Sequence, residues 1–152
     1  MSPGVPKFRI VVTGDRHWGE PTQVYNALRH CLAEQQQFLL GVGDCPTGAD
    51  LMAKLWGAKY LRFPVTQFNA GWVYWDYQGQ RAAAGPIRNG FMIDMFRPAL
   101  VLAFITPGSR GTVNCANYAE SQGIEVRRFF GRRGRVSDEP GGVPQENQGL
   151  AR

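Results

Sequence analysis

Leu100-Val101-Leu102-Ala103-Phe104-Ile105 is followed almost at once by Pro107-Gly108-Ser109-Arg110-Gly111-Thr112, and this passage decides the fold. Six apolar residues with no polar interruption have the composition of a strand buried on both faces. The turn after it opens a helix expected from about Thr112 to Ser121. A second turn, Gly14-Asp15-Arg16, follows another apolar strand, Phe8-Arg9-Ile10-Val11-Val12. Two such turns at the carboxyl ends of parallel strands form a site suited to a phosphate-bearing ligand, because helix N-termini and glycine-rich backbone present N–H groups to anions.

The remaining elements alternate between strand and helix. Strand one covers about 8–13, and a helix starts near Pro21-Thr22 and runs through Val24, Leu28 and Leu32, with proline suited to a first turn. Strand two is Phe38-Leu39-Leu40, ending in the run Gly41-Val42-Gly43-Asp44-Cys45-Pro46-Thr47-Gly48. A helix is expected over Ala49 to Gly57, with Met52 and Leu55-Trp56 on its apolar side. Strand three is read at Tyr60-Leu61-Arg62-Phe63, stopped by Pro64. Residues 65–84 hold Trp72, Tyr74, Trp75 and Tyr77 and read as a loop with a short helix, folded over the carboxyl edge of the sheet. Helix three is expected from Pro86 to Phe96, with Ile87, Phe91 and Met95 on one face. Strand five is Glu125–Phe129.

Strands alternating with helices imply a parallel sheet covered on both faces. The fold class is therefore α/β, a Rossmann-like three-layer sandwich with a five-stranded parallel sheet in the order 3-2-1-4-5. That order makes strands one and four neighbours at the switch point, so that the Gly14-Asp15-Arg16 and Gly108-Ser109-Arg110-Gly111 turns face each other across one crevice. One domain is expected over 1–130, and a disordered basic and polar tail over 131–152.

Composition narrows the function classes. A chain of 152 residues with 43% hydrophobic residues has the length and apolar content of one globular domain. No stretch reaches bilayer length, and the amino terminus has no long apolar core, so a cytoplasmic protein is expected. Cys31, Cys45 and Cys115 are odd in number and widely spaced, which fits reduced thiols better than a disulfide framework or a metal knuckle. The net charge is +5, and residues 127–152 carry six arginines against three acids. The run Arg127-Arg128 to Arg132-Arg133-Gly134-Arg135 is either a solvated tail or a weak nucleic-acid contact.

Several side chains are candidates for the crevice. Gly108, Ser109, Arg110, Gly111 and Thr112 combine backbone N–H groups, hydroxyls and a cation. Gly14 and Arg16 offer close backbone approach and a bidentate guanidinium. Arg88 and Asn89 sit in the first turn of helix three, where a cation gains nothing from the helix dipole; facing a phosphate explains the placement. Thr47 and Gly48 open helix two. Asp15, Asp44 and Asp50 are the catalytic candidates, able to accept from ribose hydroxyls, orient water or stabilise ribosyl charge. The spacing shows no ordered set of metal ligands and calls for no cofactor. Cys115, inside a helix with no histidine nearby, reads as a small core residue and not as a nucleophile.

The blocks Gly14-Asp15-Arg16 with Trp18, Gly43 with Thr47-Gly48-Ala49-Asp50, Trp72, Ala84-Gly85-Pro86-Ile87-Arg88-Asn89, and Pro107-Gly108-Ser109-Arg110-Gly111-Thr112 appear in an order that resembles the YspA-type (YpsA-related) SLOG family. That family lies within the superfamily of DprA and the LOG "lonely guy" phosphoribohydrolases. The resemblance covers about residues 8–128 and implies binding of a nucleotide or nucleotide-derived ligand related to NAD or ADP-ribose, by a sensor or a hydrolase. The phosphoribohydrolases carry a glutamate where this chain has Cys115, and Ser109 replaces their second glycine. The resemblance therefore carries the fold further than it carries that reaction. A DNA-binding module related to DprA is the alternative, and a homodimer through the helix bearing Phe91 and Met95 is the expected assembly.

Overall fold

The computed structural model describes residues 4–69 and 84–134. Its elements in chain order are β1 (Arg9–Gly14), α1 (Pro21–Gln35), β2 (Leu39–Gly43), α2 (Gly48–Tyr60), β3 (Thr66–Phe68), α3 (Ala84–Phe96), β4 (Leu100–Ile105), α4 (Arg110–Ser121) and β5 (Glu125–Phe130). The five strands form one sheet in the order β3-β2-β1-β4-β5, parallel throughout. This is the α/β, Rossmann-like topology expected from the alternation of elements. No helix among the described residues is long and apolar enough to cross a membrane.

The sheet is central because its middle strands are apolar on both sides. In β1, Ile10, Val11 and Val12 are all buried, yet successive side chains point to opposite faces. Ile10 and Val12 join Leu40, Val42, Leu102 and Phe104 in a core completed by Val24, Leu28 and Cys31 of α1 and Ala49, Ala53 and Trp56 of α2. Val11 and Val101 face the other way, onto Met92 and Ile93 of α3 and Cys115 and Ala119 of α4. Each fully buried branched or aromatic side chain contributes about 1.5–3 kcal/mol. The register sets Val11 against Val101 and Gly14 against Phe104, bringing the ends of β1 and β4 level.

Three local expectations are corrected. Strand three is not Tyr60–Phe63: α2 continues to Tyr60, whose ring lies 5.2 Å from that of Trp56, and the edge strand is Thr66–Phe68. Leu55 is exposed, not on the apolar side of α2; Ile87, Phe91 and Met95 do share one face of α3, as expected, and that face is exposed. Met92 and Ile93 form the buried stripe of α3. Helix α4 begins at Arg110, with Ser109 as its N-cap residue, earlier than Thr112. The aromatic group Trp72, Tyr74, Trp75 and Tyr77 lies outside the described residues.

Residues 131–134, assigned by the sequence to a tail, run beside residues 17–19. Gly131 donates its N–H to Ile105 O at 3.0 Å, Gly19 donates to Arg132 O at 3.2 Å, and Gly134 donates to His17 O. Trp18 and Arg133 form an antiparallel bridge. This strap packs closely: a Cβ on Gly19 would lie 2.7 Å from the Gly134 backbone, and one on Gly131 would lie 2.6 Å from the buried Trp18 ring.

Candidate functional site

The carboxyl ends of β1, β2 and β4 meet at a cavity of about 340 Å³. Its position follows from the strand order: β1 sends its chain to α1 on one face, while β4 sends its chain to α4 on the other, and a crevice opens between them. Glycines permit the close packing below it. A Cβ on Gly14 would collide with that of Ala49. Gly48 has φ +73°, and a Cβ there would lie 2.6 Å from Arg16 Cα. Helix α2 can therefore start directly against the end of β1. A Cβ on Gly43 would meet Arg88 Nη1 at 2.6 Å and Asp50 Oδ2 at 2.8 Å, so this glycine leaves room for an ion cluster at the end of β2.

Gly14, Asp15, Arg16, Asp50, Arg88, Asn89 and the whole turn Gly108, Ser109, Arg110, Gly111, Thr112 line this one cavity. Three other candidates stand beside it. Asp44 holds Arg88 through Oδ1 and Nη1 at 2.6 Å. Thr47 donates its hydroxyl to Arg16 O at 2.9 Å, and Gly48 forms the tight contact already described. Thr13, His17, Cys45 and Arg133 are further lining residues. A larger cavity of about 610 Å³ lies at the amino ends of β1 and β2, lined by Gly4, Pro6, Lys7, Phe8, Gln35, Gln36, Gln37 and Arg62. It brings together no acid and no helix N-terminus, so the smaller crevice is where the chemistry converges.

Asp15 is buried and fully engaged. Its Oδ1 accepts the His17 N–H at 2.9 Å; its Oδ2 accepts the Thr106 hydroxyl and Arg133 Nε, the latter at 2.8 Å. Burial alone would raise its pKa, but the Thr106 hydroxyl, the His17 amide and the Arg133 guanidinium together bring it below the usual carboxylate value. Asp15 is thus an ionised anchor tying three distant chain segments.

Asp50 is the opposite case. It is buried at the start of α2, and its Oδ1 has no hydrogen-bond partner among the described residues. Burial pushes its pKa up to about 7, against the attraction of Arg88 and the amides of Cys45 and Gly43, with Asp44 adding to the rise. A buried oxygen without a partner costs about 1–3 kcal/mol, and Asp50 is one of the residues that line the cavity.

The cations divide similarly. Arg88 is spent on protein acceptors: Nη1 on Asp44 and on Phe68 O at 3.2 Å, and Nε on Asn89 Oδ1 at 2.7 Å. Asn89 thereby keeps its amide N–H groups for another acceptor. Arg16 and Arg110 are exposed, and their guanidinium groups make no bond among the described residues. Ser109 closes the β4–α4 turn, donating to Thr106 O at 2.8 Å and accepting from Thr106 N at 3.0 Å. Arg110 donates its N–H back to Gly108 O, and the first-turn amides of Gly111 and Thr112 have no backbone acceptor among the described residues, as is usual at a helix N-terminus.

Burial raises the Cys115 thiol to about 11, so it is not an ionised nucleophile at neutral pH. Among the described residues no cluster of three His, Cys, Asp or Glu could hold a metal ion. Within the basic C-terminal run, Arg127 pairs with Glu125 at 3.1 Å and Glu34 at 3.7 Å, and Arg128 pairs with Glu120 at 3.0 Å. Sequence reading missed Thr106 and Arg133 as the partners of Asp15; the two glycines flanking Arg132-Arg133 were the available sign of a tight backbone path.

The parallel sheet in the order 3-2-1-4-5, with its crevice at the β1/β4 switch point, defines a Rossmann-like α/β protein. The chain belongs to the YspA, cpYpsA-related SLOG family, whose model matches residues 8–74. It is similar to the Gene 61 protein of Mycobacterium phage D29, with 34% identity over 125 residues covering 80% of this chain and 95% of the phage protein. No solved structure gives a significant match.

Proposed function

We propose that the crevice binds a nucleotide or nucleotide-derived ligand of the NAD or ADP-ribose type. The observation carrying this reading is the convergence, in one cavity of about 340 Å³, of the α4 N-terminus with two arginines and a buried Asp50 Oδ1 that have no side-chain partners among the described residues. Arg16, Arg110 and the amides of Gly111 and Thr112 hold phosphate. Asp50 Oδ1 accepts a ribose hydroxyl, which supplies the missing partner, and Asn89 donates to the base or sugar. Asp15 and Asp44 orient Arg133 and Arg88 without themselves contacting the ligand.

The binding role is primary, and the protein acts as a sensor of that ligand. Turnover would be hydrolysis of an N-glycosidic or phosphate linkage, with Asp50, close to neutrality in its titration, transferring the proton. The homodimer reading rests on Ile87, Phe91 and Met95, which lie exposed at helical spacing on α3; sedimentation velocity of the parent and of Phe91→Lys tests it, a dimer in the parent alone being the expected result.

Calorimetric titration with ADP-ribose, NAD, AMP and adenosine tests the function directly. Saturable heat with the phosphorylated ligands and much weaker binding of adenosine is the expected pattern. Absence of binding by all four at millimolar concentration would remove the reading. Product analysis after incubation separates sensor from hydrolase.

A further inference from the structure

We propose that Arg133, carried into the crevice by the strap that follows β5, is a third phosphate-binding arginine of this site. The proposal rests on the nucleotide-binding reading above and adds a residue outside the motif blocks. Arg133 Nε donates to Asp15 Oδ2 at 2.8 Å, and that carboxylate is itself buried and fixed by Thr106 and the His17 amide. Its two terminal nitrogens have no partner among the described residues, while the residue lines the cavity shared with Arg16 and Arg110.

A guanidinium pinned by Nε on one side keeps the parallel donors of its other edge for a bidentate oxyanion. The pinning has a second effect. Much of the rotamer entropy that a long side chain loses on binding is already lost in the free protein, so the contact is preorganised. The strap gives the backbone equal definition: it is bonded to residues 17–19 and needs the bare Cα of Gly19 to pass. The ion pair with Asp15 uses Nε alone and leaves the Arg133 side chain 44% exposed, so the structural role does not consume the rest of the guanidinium.

The test is calorimetric titration of the full chain, as parent, Arg133→Ala and Arg133→Lys, with ADP-ribose and with inorganic pyrophosphate. Thermal unfolding of each protein checks that it is folded. The expected result is a loss of roughly tenfold to a hundredfold in affinity for both probes in Arg133→Ala, the range for a lost hydrogen-bonded charge contact. Arg133→Lys, which keeps the charge but not the fork, falls between. Gly19→Ala, which displaces the strap while leaving Arg133 in the chain, lowers affinity for both probes in the same way. Equal affinities of parent and Arg133→Ala overturn the proposal and leave the nucleotide reading standing. A loss confined to ADP-ribose, with pyrophosphate unaffected, also overturns it, since the effect then lies away from the phosphates. A parent that binds neither probe overturns the nucleotide reading and this inference with it.

Discussion

Asp15 and Asp50 border the same cavity and titrate in opposite directions. The first is held ionised by the Thr106 hydroxyl, the His17 amide and Arg133 despite its burial, while burial carries the second up to about 7. Two differences decide the outcome: Asp50 lies much deeper, so burial weighs more heavily on it, and its Oδ1 has no hydrogen-bond partner among the described residues, whereas both oxygens of Asp15 are hydrogen-bonded. Two carboxyls pushed apart in this way divide an anchoring role from a titrating one.

This division gives a pH signature. Asp50 ordinarily titrates near 3.8 and does so at about 7 in the fold, so between those values the folded state binds the extra proton. Its contribution to stability is complete below about pH 4 and is lost as pH rises through about 7. Asp50→Asn removes that dependence. Relative to the parent it is expected to gain little at pH 4 and roughly 2–4 kcal/mol by pH 8. Urea denaturation at pH 4, 6 and 8 measures it; a constant difference across the range would contradict the assignment.

Arg16 and Arg110 are exposed and unpartnered among the described residues, so alanine at either position should leave unfolding stability within about 0.5 kcal/mol of the parent. Each should nevertheless weaken ADP-ribose binding about tenfold. Arg88→Ala behaves differently: it removes the largely buried cation that pairs with Asp44 and attracts Asp50 and is expected to cost about 2–4 kcal/mol of stability as well as affinity. Paired denaturation and calorimetry on the three variants read this contrast.

Gly48 and Gly111 separate structure from binding among the glycines. At Gly48 the positive φ and the backbone of Asp15 and Arg16 forbid a side chain, and Gly48→Ala should cost more than about 2 kcal/mol. A Cβ on Gly111 meets nothing within 4 Å. Gly111→Ala should therefore be neutral or gain up to about 1 kcal/mol from helix propensity, while obstructing the ligand's approach to the α4 amides and reducing affinity. Undiminished affinity in that variant would exclude the turn from the binding surface.

Gln36 ends α1 with φ +68° and donates its N–H to Leu32 O at 2.7 Å. A side chain in the left-handed region costs about 1 kcal/mol that glycine avoids. Gln36→Gly is expected to raise stability by about 0.5–1 kcal/mol, read as a higher midpoint in urea with an unchanged slope.

The central strands were legible because burial on both faces demands unbroken apolar runs, and Ile10–Val12 and Leu100–Ile105 supply them. The turns that line the crevice were legible through their glycines and arginines. The edge strand was not: Thr66 and Gln67 are exposed and carry no apolar pattern, while Leu61 and Phe63, which do, pack as a loop after α2. On α3, Ile87, Phe91, Met92, Ile93 and Met95 are apolar around most of the helix, and only the packed structure shows that Met92 and Ile93 face the sheet. Arg133 was hidden for another reason. Its position depends on backbone bonds to residues far earlier in the chain, which no local period records.

The pairing of β1 with β4, Val11 beside Val101, also governs how the molecule comes apart. The segment from β1 to β3 leaves one edge of β1 open and its second face bare; the segment from α3 to β5 leaves β4 in the same condition. Neither half can bury its own apolar strands, so the chain is expected to melt in one cooperative step, with the slow refolding typical of distant strand partners. The crevice lies on that seam and cannot persist in a half-folded chain, which makes ligand occupancy a direct gauge of the intact molecule.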